Sequence, residues 1–181
     1  MGKEPYKNLV ATILSPRTRD EITYEASLRL FEIAKNFKEL SKISTQTLAK
    51  TIYPVAFYNT KAANLSKTAK IITKTYGGKV PNTIEALTRL PGVGRKVANI
   101  VLSSSFGVPT IAVDTHVHRI TNILGWVKTK YPEQTERELT KILPKKYWKD
   151  TNRLFVSLGR QLRSKNKILN FLRSYSLIDE H

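Results

Sequence analysis

A lysine that opens a helix directly after two glycines is a candidate nucleophile, and an aspartate at the next helix start is a candidate partner for it. Both occur in "LPGVGRKVANIVLSSSFGVPTIAVDTH", Leu90 to His116, where Asp114 stands eighteen residues beyond Lys96. A neutral amine can act as a nucleophile toward a sugar carbon. A carboxylate held at a helix start could stabilise a developing positive sugar or activate the nucleophile. Each residue also has a plainer reading. Lys96, beside Arg95, could hold a phosphate by charge alone, and Asp114 could simply cap the helix that opens "THVHRI". His116 and His118 are spaced i, i+2, so on a helix they point apart and make no metal pair.

The segment "TIEALTRL-PGVG-RKVANIVL" reads as helix, four-residue turn, helix. Gly92 and Gly94 permit positive φ and put no side chain in the way. Backbone N–H groups at the start of the second helix could then face a phosphate, with the helix dipole assisting. A tight αα turn with no ligand would need the same glycines. The pattern is not a Rossmann fingerprint, since no strand precedes it and Val97 stands where a third glycine belongs, and it is not a Walker loop.

Helical periodicity runs through nearly the whole chain. Leu9, Val10, Ile13 and Leu14 recur at i, i+1, i+4, i+5, and Ile22, Ala26, Leu30 and Ile33 form one stripe with Asp20 placed to cap it. "STQTLAKTI" opens on Ser and Thr caps, and a helix over 61–76 closes at Gly77-Gly78. Asn82 or Thr83 caps the first hairpin helix. Val97, Ile100 and Val101 share a face of the second, and Val117, Ile120 and Leu124 a face of the helix after Asp114. "TIAV" is too short for a strand, so the chain is all-α. Its softest break is "GVPT", which divides it into lobes 1–109 and 110–181, with the hairpin over about 83–106.

Bulk composition narrows the partner. Lys and Arg total 31 against 14 Asp and Glu, a net charge of +17 spread along the chain. Such a field favours a polyanion, because neutralising phosphates releases condensed counterions. There is no cysteine, which excludes disulfides, thiolate zinc sites and cysteine-held iron–sulfur clusters. No apolar run reaches the ~18 residues of a membrane-spanning helix. The start "MGKEPYKNLV" lacks a signal peptide's apolar centre. A soluble, intracellular, nucleic-acid-binding protein is expected.

These residues closely resemble the endonuclease III family of DNA base-excision glycosylases, in the helix-hairpin-helix–GPD superfamily. "LVATILSPRTRD" is similar to an early family segment, "PVAFYNTKAANL" to the loop that carries a DNA wedge, and "YGGKVPNTIEALTRL" to the approach to the hairpin. The resemblance covers roughly residues 5–126, with a weaker echo at "LFVSLGRQ". It implies a two-lobed all-α fold with the active-site cleft between lobes, Lys96 as the nucleophile toward C1′ and Asp114 as the essential aspartate. It implies both removal of the damaged base and strand cleavage at the abasic site by β-elimination, with oxidised pyrimidines as substrates. Gly92, Val93 and Gly94 match the hairpin that holds the phosphate backbone, in some members with a monovalent cation on its carbonyls. Arg95, Lys61 and His116 are expected beside them as DNA-binding residues. Base flipping explains the wedge, since the target atom is unreachable in a stacked duplex.

Departures from the family pattern accompany the match. Arg17 stands where a glutamine commonly fills the vacated stack, and Phe57 where the second wedge is commonly leucine. The family's four cluster cysteines align with Arg163, Asn170, Arg173 and Asp179, so no iron–sulfur cluster is expected. The family's helix before "PYKNLV" has no counterpart, which implies a second lobe trimmed at both ends. In place of the cluster as anchor, Ile168, Leu172 and Tyr175 at i, i+4, i+7, with Leu169 alongside, predict a terminal helix docked by its apolar face. The expected partner is double-stranded DNA with damaged bases or abasic sites, bound by a monomer in the cytoplasm at the nucleoid, with no membrane and no metal. Two alternatives stay open: an 8-oxoguanine or mismatch glycosylase on the same scaffold, and a non-catalytic hairpin module.

Overall fold

Leu9, Val10, Ile13 and Leu14 occupy adjacent rows of one helix, so neighbours must cover that helix on more than one side. In the computed structural model, which describes residues 4–175, the helix is α1 (Pro5–Leu14) and all four side chains are buried. α2 (Asp20–Ile33), α5 (Tyr58–Thr75) and α7 (Arg95–Phe106) pack on it. α3 (Phe37–Leu40) lies on α5, α4 (Thr45–Ile52) touches both α2 and α5, and α6 (Ile84–Thr88) packs on α7. Chain contacts define two compact units, Met1–Val108 and Pro109–His181. Among the described residues there is no strand, and no helix is long and apolar enough to cross a membrane.

Caps set several helix starts. Ser44 accepts from the Thr47 amide at 3.1 Å, and Thr83 from the Ala86 amide at 3.3 Å. Asp20 does not cap α2 as its type suggests. Arg19 takes the cap position and Asp20 becomes the first helical residue, where its charge still complements the helix dipole. Asn8 on α1 donates to Ser104 and, at 2.7 Å, to Ser105, tying α1 to α7.

The second unit comprises α8 (Thr115–Ile123), α9 (Pro132–Ile142), a 3₁₀ turn at Lys145–Tyr147, α10 (Trp148–Gln161) and α11 (Lys165–Ser174). Ile111, Val113, Val117, Val127 and Leu139 form one core cluster, and Ile120, Ile168 and Leu172 another. α10 crosses α8 closely. A Cβ built on Gly159 would lie 2.3 Å from Nδ1 of His116, so only glycine fits there. Asn152 on α10 donates to the Ala112 carbonyl at 2.8 Å, fixing the "TIAV" segment that leads into Asp114. The Arg119 guanidinium donates to the carbonyls of Gly159 and Leu162, each at 3.3 Å, and to that of Arg163. It thereby serves acceptors at the end of α10 and just beyond it.

α11 docks by Ile168 and Leu172 with Phe171 at their flank, whereas Tyr175 is exposed, so the docked face is one turn shorter than its spacing suggests. Losing two buried aliphatic side chains at ~1.5–3 kcal/mol each corresponds to a fall on the order of 10 °C in melting temperature. Truncation after Ser164 is therefore expected to lower the melting temperature by that amount in a thermal scan. A truncated chain melting with the full-length protein would make α11 a dispensable appendage.

Candidate nucleic-acid interface and catalytic residues

The hairpin turn is held from below by its apolar residues and by α5. Leu87, Leu90, Val93 and Val97 are all buried, so the turn is pinned into the first unit's core by every third or fourth residue. Thr68 on α5 donates to the Pro91 carbonyl at 3.1 Å. Gly92 has φ +78°, and a Cβ there would meet the Asn64 side chain at 3.0 Å, so both conformation and space demand glycine. Gly94 meets half of the expectation: it leaves the helix start free of a side chain but does not take positive φ. It sits in extended backbone (φ −86°, ψ 176°) as the N-cap of α7, and a Cβ on it would meet nothing within 4 Å. Its contribution is an uncovered helix start, which no side chain caps.

Gly92, Gly94, Arg95 and Lys96 are exposed, whereas Val93 is the turn's anchor into the core. Lys96 occupies the first turn of α7, the end where the helix dipole is positive. The hairpin thus presents backbone N–H groups, a guanidinium and an ammonium within a few residues. That combination suits a phosphodiester backbone.

In the second unit Asp114 is the N-cap of α8. Its Oδ1 accepts from the amides of His116 and Val117, each at 2.9 Å. The carboxylate is therefore fixed in direction by the helix it starts. The His116 ring is half-buried and seated on Gly159 of α10. His118 turns elsewhere, its Nδ1 2.7 Å from Thr135 Oγ1. Among the described residues no group of three or more His, Cys, Asp or Glu is placed to hold a metal.

Arg17 and Phe57, forty residues apart in the chain, lie side by side. Both have left-handed backbone, φ 58° and φ 57°, which costs a non-glycine residue roughly 1–2 kcal/mol. The Phe57 ring is 61% exposed at the cap position of α5, and the Arg17 guanidinium carbon lies 5.8 Å from its centroid. This is a solvent-facing cation–π pair.

Lys61 requires a correction. Expected as an outward DNA contact, it is only 8% exposed, and its ammonium points inward. Nζ donates to the carbonyls of Leu14 at 2.6 Å and Pro16 at 2.7 Å and to Thr18 Oγ1 at 3.2 Å. Burial pushes its pKa down to about 8. An ammonium so enclosed has no donor left for a phosphate.

The positions aligned with cluster cysteines do not fit an iron–sulfur cluster. Arg163 and Arg173 carry guanidiniums and Asn170 an amide, none of which replaces a thiolate, and the chain has no cysteine. Asp179 lies outside the described residues. Sequence reasoning missed Gly159, Asn152 and Arg119, whose partners lie about forty residues away in the chain.

The HhH-GPD superfamily of base excision DNA repair proteins matches residues 10–145. Endonuclease III of Thermotoga maritima is 47% identical over 159 residues, covering 88% of this chain and 75% of that protein. Endonuclease III-like protein 1 of Gallus gallus is 42% identical over 159 residues, covering 86% of this chain but only 57% of that one. A solved structure of a trapped endonuclease III–DNA covalent intermediate superposes with a TM-score of 0.83 at 34% identity, over 91% of this chain and 78% of that one.

Proposed function

Because the chain belongs to the HhH-GPD superfamily of base excision DNA repair proteins, and within it to the endonuclease III family, we propose that it removes oxidised pyrimidines from duplex DNA and cleaves the abasic site left behind. Lys96 carries this reading: an exposed amine in the first turn of α7, directly after a glycine turn that α5 holds in place. A non-catalytic DNA-binding hairpin needs glycines and positive charge but no nucleophile.

The lobes divide near residue 109, and the two supply Lys96 and Asp114 respectively. Gly92, Val93, Gly94 and Arg95 hold the backbone next to the lesion, and His116 is a further DNA contact. Arg17 and Phe57 enter the stack, and the damaged nucleotide turns outward. Lys96 gives up its ammonium proton and attacks C1′ as the neutral amine, the glycosidic bond breaks, and the base leaves after accepting a proton. Ring opening gives an iminium between Nζ and C1′, with the ring oxygen protonated. Loss of a C2′ proton then expels the 3′ phosphate, and water hydrolyses the Schiff base to restore the lysine. The Asp114 carboxylate, held by α8, stabilises the positive charge that develops on the sugar.

No iron–sulfur cluster takes part; docking of α11 and the Arg119 contacts anchor the end of the second lobe instead. The protein acts as a monomer on nucleoid DNA in the cytoplasm. Incubation with duplexes carrying thymine glycol, 8-oxoguanine, a T·G mismatch or an abasic site tests the assignment. Strand cleavage is expected at thymine glycol and at the abasic site. A preference for 8-oxoguanine or for the mismatch would reassign the substrate, and tight binding without product would leave a DNA-binding module.

A further inference from the structure

Lys61 has the charge of a DNA contact and the placement of a structural bolt. Its three N–H donors meet three oxygens: two carbonyls at the end of α1 and beyond, and the hydroxyl of Thr18. The Thr18 hydroxyl is shared, because it also accepts from the Ala56 amide at 3.2 Å. One hub therefore joins the turn 15–19 to the turn that ends at Phe57. Arg17 lies between two of the hub's acceptors, Pro16 O and Thr18 Oγ1, and Phe57 directly follows the Ala56 donor. The Lys61 amide in turn donates to the Phe57 carbonyl at 3.0 Å, closing the first turn of α5.

The two residues beside this hub are the ones held in left-handed backbone, and they carry the exposed ring and guanidinium. Strained non-glycine backbone persists only where its surroundings over-determine it. The hub supplies that constraint at both turns.

We propose that Lys61 is a positioning residue that, through Thr18, fixes Arg17 and Phe57 as a single wedge for entering the base stack. It does so without touching DNA. The inference rests on the glycosylase reading above. A wedge of two independently moving arms would have to be ordered on every encounter, whereas a pre-set one enters in a single event. The ammonium caps the carbonyl of Leu14, the last residue of α1, but it does so at a burial cost. A folded pKa of about 8, below the free-lysine value, means that the buried ammonium costs folding free energy below pH 8, a cost relieved only as pH rises toward the unfolded value of about 10.4.

The test compares wild type with Lys61→Met, Thr18→Val, the double variant and Phe57→Ala. One probe is a duplex with a tetrahydrofuran abasic analogue opposite 2-aminopurine, whose fluorescence reports insertion into the stack. The others are thymine glycol in duplex, a single strand bearing an abasic site, and undamaged duplex for affinity. Lys61→Met should lose the insertion signal and about tenfold or more of duplex excision, the same pattern expected of Phe57→Ala. Its affinity for undamaged duplex and its cleavage of the single strand should stay within about twofold of wild type. Thr18→Val should show the same pattern, and the double variant should be no worse than Lys61→Met, since both act through one hub.

Weaker binding to undamaged duplex with a salt dependence reduced by about one ion would make Lys61 a phosphate contact and overturn the proposal. Equal losses on duplex and single strand would reduce it to packing. Should Lys61→Met not fold, Thr18→Val decides, and unchanged insertion there refutes the coupling. A wild type inactive on every lesion would instead sink the glycosylase reading, while the insertion signal still reports on the hub.

Discussion

Lys96→Gln is expected to abolish the borohydride-trapped protein–DNA adduct while leaving duplex affinity within a few fold of wild type. Glutamine keeps the length of the side chain nearly intact and can still hydrogen-bond, but an amide nitrogen cannot form a Schiff base. The fold is not at risk, because Lys96 is exposed and the hairpin is held by Val93, Val97 and the Thr68 contact to Pro91. One removed charge on a chain of net +17 weakens a multi-contact interface only modestly. Affinity and trapping should therefore separate cleanly. A phosphate-binding lysine would predict the reverse: weaker binding, with trapping per bound complex unchanged.

Asp114→Asn is expected to slow base excision by ~100-fold or more, the scale of losing one electrostatic stabiliser of the transition state. Its structural effect should be small. Asn offers the same carbonyl-type oxygen to the amides of His116 and Val117, and Asn and Asp are near-equal N-caps. The melting temperature then moves little while excision under single-turnover conditions collapses. Activity that survives the substitution together with an unchanged melt would mean that Asp114 only caps α8. Because the cap is retained, the variant isolates the charge.

The contrast between Lys61 and Lys96 shows where sequence is a good guide and where it is not. Both are lysines at the start of a helix in a strongly basic chain, and nothing local distinguishes an inward ammonium from an outward one. What turns Lys61 inward is a set of acceptors forty-three to forty-seven residues earlier, a relation with no periodic signal. The helices themselves were legible because their apolar spacing and caps are local: α1, the Ser44 and Thr83 caps and the hairpin all follow from it. Gly92 was legible for the same reason. Of the two roles that the sequence offers for Gly94, the missing side chain holds and the positive φ does not. The close approach of His116 to Gly159, and of Arg17 to Phe57, is tertiary and became visible only with coordinates.

The central claim is that Lys96 is the amine that becomes covalently attached to the sugar. Borohydride reduction of wild type on a thymine glycol duplex, followed by proteolysis and mass mapping of the adduct, measures that directly. Attachment to Lys96 is the expected result. Attachment to another amine, or no adduct while the strand is being cut, would contradict it.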